Sequence, residues 1–231
     1  MGPRSRELLE RVTSADLSNE AFAFGTSREI ELGYARVRAM RITYVGELGW
    51  ELYVPTEFAP NVFDTLMAEA EAVDLRLCGF HAMGSCRLEK AYRHWGHDIG
   101  PEDSPLEAGL GFAIAWEKDC DFVGREALER QRDKGITRRL VQLQVDNTQV
   151  MLHHDEPFYR NGVAMGLTTS GGWGYTLNAA VALGYARGEA GQLDAQWVRE
   201  GDWQVEVAGQ RHPATASLRP AYDPQNARIR S

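Results

Sequence analysis

Two short stretches combine residue types that can recognise a flat polar ligand. In the first, Tyr44 and Glu51 flank Gly46-Glu47-Leu48-Gly49, with Trp50 beside them. A hairpin turning at these glycines brings an aromatic ring and a carboxylate to one cleft. In the second, Arg87, Glu89, Lys90, Tyr92, Arg93 and Trp95 fall within nine residues. Charges interleaved with aromatics at a helix end suit a flat ligand with anionic tails. The competing role for both stretches is structural, because charged hairpins and helix faces are mostly just solvated.

Other candidates are weaker. His94 and His97 have the i, i+3 spacing of a helical ligand pair, but Gly96 lies between them, where the helix is expected to end. Cys78, His81 and Cys86 do not complete a tetrahedral set, so no metal is expected. His153-His154-Asp155 reads as a solvated turn. Ser170-Gly171-Gly172-Trp173-Gly174 resembles a phosphate loop, but it lacks the lysine of a P-loop and the GxGxxG spacing. Gly109-Leu110-Gly111 has no third glycine. These glycines are expected to serve tight β turns. No GxSxG elbow is present, so nucleophilic catalysis has no support.

The elements that must carry these residues follow from periodicity. A short helix is predicted over residues 3–12, with Pro3 in its first turn and Leu8, Leu9 and Val12 as its stripe. Asp16 and Ser18 can cap a turn through residues 19–21. Residues 29–54 alternate as antiparallel strands that carry Tyr44 and Trp50-Glu51-Leu52-Tyr53-Val54. An amphipathic helix is predicted over 57–73, starting near Pro60, with Phe58, Val62, Phe63, Leu66, Met67 and Ala70 on one face. A second helix is predicted over 79–92 and a loop over 96–105. Residues 112–116 read as a short buried strand and residues 125–132 as a polar helix. From about residue 137 short strands punctuated by Gly162, Gly166, Gly171, Gly172 and Gly174 predict a barrel or sandwich. The fold class expected is therefore α+β, with domains at 1–120 and 121–231, the second an all-β barrel.

Composition sets outer limits. The 231 residues are 43% hydrophobic and 25% charged, enough for a sizeable core. The net charge of −8 and the lack of a basic block argue against nucleic acid or anionic membrane as partners. Arg36, Arg38 and Arg41 alternate with apolar residues and are expected on one strand face. Three cysteines without CxxC spacing fit a reducing compartment, cytoplasmic or the mitochondrial matrix in a eukaryote. No stretch approaches the ~18 apolar residues of a membrane span, and no apolar run follows the N-terminus as in a secretory signal.

The motifs also carry a resemblance. Residues 41–55 (RITYVGELGWELYVP), 87–99 (RLEKAYRHWGHDI) and 104–114 (SPLEAGLGFAI) resemble successive signatures of the glycine-cleavage T-protein (aminomethyltransferase) family. RLEK-x-YR-x-WG is most similar to the folate-binding part of dimethylglycine dehydrogenase, sarcosine dehydrogenase and dimethylglycine oxidase. Residues 122–128, 138–146, 181–186 and 221–224 extend the similarity almost to the C-terminus. The resemblance implies a tetrahydrofolate-binding module that captures the one-carbon unit from oxidative N-demethylation as methylene-tetrahydrofolate. It implies that Tyr44 and Glu51 contact the pterin and that Tyr92 lines the folate. Arg87 matches by position, with an ion pair to Glu89 or Glu107 as its other role. Glu47 is expected to serve the turn. Plain T-proteins have Arg-Asp where this chain has Met83-Gly84, so that folate contact is absent. About a third of the module is expected to precede Gly2, and FAD is expected only in a preceding domain or a separate flavin dehydrogenase subunit. The alternative is a non-catalytic fragment or subunit, an assembly partner with an incomplete folate cleft.

Overall fold

The computed structural model describes residues 1–146 and 149–231. It divides into two compact units, residues 1–87 with 223–231, and residues 88–222.

The first unit is built on an antiparallel sheet of β1 (Ser27–Leu32), β2 (Ala35–Met40) and β3 (Glu51–Tyr53), in that order. Ile30 and Leu32 on β1 and Ala35, Val37 and Ala39 on β2 point to one face and are buried. This is the period-two signature of a half-buried sheet. Leu9 of α1 (Ser5–Glu10), Val62 of α2 (Ala59–Ala68), and Leu17, Phe22, Leu48 and Trp50 from the connections complete that core. Pro60 lies in the first turn of α2, where its missing N–H costs nothing.

Three expectations are corrected here. Arg41 does not share the exposed face of Arg36 and Arg38; it is 1% exposed and falls in step with Val37 and Ala39. Its guanidinium is accommodated because it donates to the Phe22 carbonyl (2.7 Å) and the Ser231 carbonyl (3.0 Å) and stacks over Trp50. The apolar face of α2 is narrower than predicted, since Phe63 is half exposed and Phe58 also reaches solvent. β2 also ends sooner than its alternation implied. Met40 is already opposite Glu51, so residues 41–50 form a long connection and Tyr44 lies off the strand. Arg41 still bonds on the β1 side, its N–H donating to the Thr26 carbonyl and its carbonyl accepting from Gly25, but the next N–H, of Ile42, turns back onto the Met40 carbonyl at 3.0 Å, which ends the pairing with β3.

The second unit holds the closed barrel β4-β7-β6-β5-β8-β9, formed by β4 (Arg138–Val145), β5 (Pro157–Arg160), β6 (Val163–Gly174), β7 (Ala179–Arg187), β8 (Trp203–Val207) and β9 (Gln210–Ser217). Val141, Leu143 and Val145 fill its interior with Phe158, Ala180, Ala182, Trp203 and Val205. Closure leaves no free strand edge. α3 (Phe80–Glu89) precedes it in the chain and α4 (Arg125–Lys134) leads into β4, as expected. α5 (Ala195–Arg199) was not foreseen; the Asp194 side chain caps it by accepting from the Trp197 N–H at 2.8 Å.

Two further expectations fail in this unit. Residues 112–116 are not a buried strand: residues 111–113 form a 3-10 turn, and Phe112 is 86% exposed. Among the described residues no strand pairs with this run, and its backbone groups close locally, Ala113 N–H onto Leu110 and Trp116 N–H onto Ile114. Nor do Gly166, Gly171, Gly172 and Gly174 turn the chain, since all four lie inside β6. At Gly171 the need is space. A Cβ there would lie 2.7 Å from the backbone N and O of His153. Only a glycine lets the segment at 152–153 pass so close.

Candidate functional site

Glu51 opens β3 opposite Met40, and Tyr53 stands opposite Arg38. These four residues share the sheet face turned away from the unit's core, while Leu52, opposite Ala39, points inward. The Tyr53 hydroxyl donates to Glu51 Oε2 at 3.0 Å. This bond and the carboxylate's charge raise the tyrosine pKa, because phenolate beside carboxylate is unfavourable. Glu51 Oε1 is left open. The carboxylate is thus half-buried, steered by a neighbour, and retains acceptor capacity for a ligand donor.

Tyr44 lies in the connection 41–50, half-buried, with its N–H 3.4 Å from the Met1 sulfur. The connection is held by its own sequence. Leu48 and Trp50 insert into the core, and Trp50 meets Phe22 edge-on at 6.1 Å. Gly46 is buried with φ +77°, a left-handed conformation that a side chain would strain. Glu47 Oε2 is 3.8 Å from Arg228, so this acid is engaged within the unit.

Arg87 belongs to this first unit and Tyr92 to the second. The stretch containing them is not a solvated helix face. Glu89 is 3% exposed and Lys90 2%. Glu89 Oε1 accepts from the N–H groups of Thr176 (2.6 Å) and Leu177 (3.0 Å), so the carboxylate stabilises the turn between β6 and β7. Gln142 on β4 donates to the carbonyls of Leu88 and Glu89, and its own carbonyl accepts from Ala221. Arg93 is consumed by the carbonyls of Ala91 and Ala108. Glu107, one suggested partner of Arg87, pairs with Arg138 at 3.1 Å. Arg87 itself is buried; Tyr92 is half-buried and Trp95 exposed.

Asp98, which sequence reasoning passed over, is fully buried in the second unit. Its carboxylate accepts from the His94 N–H (2.8 Å) and the Thr169 hydroxyl (2.6 Å). Its carbonyl accepts from the Tyr185 hydroxyl at 2.9 Å. Thr169 reaches it because a β-bulge in β6 falls between Thr168 and Ser170 and re-aims the side chain. Burial is the main cause that pushes the Tyr185 phenol far above its usual pKa, with Asp103 next. No local motif announces this group, since Thr169 is 71 residues away. Tyr53 could have been found, because it lies two residues after Glu51 on one strand face. His94 and His97 stack on each other at 4.5 Å. Among the described residues no three His, Cys, Asp or Glu side chains are grouped to hold a metal ion.

A helix-decorated antiparallel sheet followed by a closed six-stranded antiparallel barrel defines the T-protein class of α+β folds. Residues 1–118 match the family model described as the GCVT N-terminal domain. Residues 138–223 match the glycine cleavage T-protein C-terminal barrel domain. The chain belongs to the glycine cleavage T-protein family. The mouse mitochondrial sarcosine dehydrogenase is 40% identical over 230 residues, covering 99% of this chain and 25% of that protein. The 4-methylaminobutanoate oxidase (formaldehyde-forming) of Paenarthrobacter nicotinovorans is 39% identical over 230 residues, 100% of this chain and 27% of that protein. The chain therefore spans about a quarter of the length of these curated relatives. The glycine cleavage system aminomethyltransferase T of Bartonella henselae has the same fold, with TM-score 0.74 and 24% identity, over 90% of this chain and 54% of that one.

Proposed function

We propose that this chain is the tetrahydrofolate-binding, aminomethyltransferase-like part of a sarcosine or dimethylglycine dehydrogenase-type enzyme. The observation that carries this reading is the 40% identity to sarcosine dehydrogenase across 99% of the chain, in a member of the T-protein family. The folate-binding domain is drawn at residues 1–120 and the barrel domain at 121–231. FAD and the amine substrate belong to a flavin dehydrogenase domain or subunit outside these residues.

The residues present fit a pterin. The open oxygen of Glu51 and the remaining lone pairs of the one bonded to Tyr53 can accept two adjacent ligand N–H groups. Tyr44, in the connection that leads into β3, is the proposed aromatic wall beside Glu51 in the first unit. Arg87 and Tyr92 are proposed as folate contacts from the family resemblance alone. Bound tetrahydrofolate would supply two nucleophilic nitrogens, placed so that a one-carbon unit at the formaldehyde oxidation level can bridge them. The chain's own contribution is binding and orientation. No side chain is assigned a proton-transfer step.

Titration calorimetry of a reduced folate against this chain, and against the flavin-containing parent, tests the reading. Saturable binding that weakens in Glu51→Gln supports it. In the parent oxidising sarcosine, Glu51→Gln should shift the product from methylene-tetrahydrofolate to free formaldehyde without slowing amine oxidation. A parent that binds no folate would instead favour an assembly role for the module.

A further inference from the structure

The second unit contains a pocket of about 450 Å³ lined by Leu106, Ile136, Leu193, Leu218, Arg132 and Arg139, among others. That volume lies within the ~300–1,000 Å³ range of small-molecule sites. Arg139 is opposite Ala186 and shares its face of β4 with Val141, Leu143 and Val145, whose side chains fill the barrel. It therefore stands at the barrel's mouth. Its guanidinium forms no hydrogen bond and no ion pair among the described residues, and its Nε is buried without a partner.

The other cations nearby are already engaged. Arg93 donates three hydrogen bonds to the Ala91 and Ala108 carbonyls. Arg132 stacks over Trp116 at 4.6 Å and lies 3.7 Å from Asp133. The one acid on the pocket's lining, Asp194, is occupied with capping α5. Arg93 and Arg139 both approach Gly109, where a Cβ would lie 2.9 Å from Arg93 Nη2 and 3.9 Å from Arg139 Nε. Two guanidinium groups thus crowd one spot. Arginine cannot shed its proton, so an unpaired and partly desolvated one is a standing cost that an anion relieves.

We propose that this pocket binds a small aliphatic carboxylate, with its carboxylate paired to Arg139 and its hydrocarbon against Leu106, Ile136, Leu193 and Leu218. A carboxylate matches a single free guanidinium fork in a bidentate pair. A dianionic phosphate would fit less well, because Arg139 is the one lining cation that is not already engaged and Asp194 stands on the same lining. This site is independent of the folate reading.

The probe is isobutyrate, compared with the isosteric neutral isobutyramide, by ligand-observed NMR and calorimetry on the full chain. Isobutyrate should bind saturably with a Kd of roughly 0.1–10 mM, as befits so few atoms. Isobutyramide should bind at least about tenfold more weakly, because it lacks the charge that Arg139 requires. Arg139→Met should lose at least about tenfold in affinity, and Arg139→Lys should fall between, keeping charge without the fork. Equal binding of acid and amide, no saturable binding of the acid, or unchanged binding in a folded Arg139→Met would each overturn the proposal. If Arg139→Met fails to fold, the acid–amide comparison on the unaltered chain decides.

Discussion

Glu51 and Glu47 lie four residues apart in one glycine-bounded stretch, yet they face different tasks. Glu51 keeps an unused oxygen on the outer face of β3, whereas Glu47 is turned toward Arg228. Glu51→Gln removes the charge and sets an amide donor against a ligand donor. Folate affinity should fall by about 2–4 kcal/mol, or roughly 30–1000-fold, in calorimetry. Tyr44→Phe should cost less, since the aromatic wall survives. Glu47→Gln should leave folate affinity within about threefold and reduce stability by no more than ~1 kcal/mol, as expected for a surface pair. Equal losses at Glu47 and Glu51 would mean the pterin lies elsewhere. Tyr185 yields a pH prediction. Its folded pKa is raised above the ordinary 10.0, so the unfolded chain loses this proton first as pH rises. Its contribution is complete below pH 10 and is lost progressively above it. Tyr185→Phe should cost about 1 kcal/mol at neutral pH, through the bond to the Asp98 carbonyl, and should flatten the alkaline limb of the stability curve. A mutant limb as steep as the parent's would contradict that assignment.

At the level of elements, β6 shows how far pattern reading reaches. Its glycines are legible as a cluster, but the cluster has two opposite uses, turning the chain or letting another segment approach. The nearby segment at 152–153 decides, and nothing local in the sequence reports it. Gly171→Ala should therefore destabilise by about 2–4 kcal/mol, because backbone atoms of 152–153 must move. Gly172→Ala should cost much less, since a Cβ there would meet only the Leu88 Cδ1 at 3.1 Å, the end of a flexible side chain. Chemical denaturation of the two variants checks the order. Asp194→Ala should cost about 1 kcal/mol through loss of the α5 cap. The strongly periodic elements, α1, α2, α4, β1, β2, β4, β7 and β8, could be read in advance. The run at 112–116 departs from its pattern because an apolar composition without a pairing partner looks the same as a strand in sequence.

For the molecule as a whole, the T-protein family signatures are long, ordered and distributed, so membership is legible in the sequence. The chain carries no dinucleotide fingerprint. Protein of these 231 residues expressed alone should be colourless and should not reduce an electron acceptor with sarcosine or dimethylglycine. A yellow, turnover-competent preparation would place flavin binding within this chain.

What the sequence determined alone was whatever depends on near neighbours: strand alternation, capping, the change from α+β to β texture, and the identity of motif residues. The tertiary structure alone decided which charges are consumed internally. Arg41, Glu89 and Arg93 look like solvated or ligand-binding groups until distant carbonyls and N–H groups are brought to them. Asp98 becomes a buried hub only when a bulge 71 residues away delivers Thr169. Arg139 stands out for the converse reason, because among the described residues folding brings it no acceptor. The physical cause is the same throughout. A buried polar group must be satisfied, and the partner that satisfies it is selected by proximity in space, which local sequence does not encode.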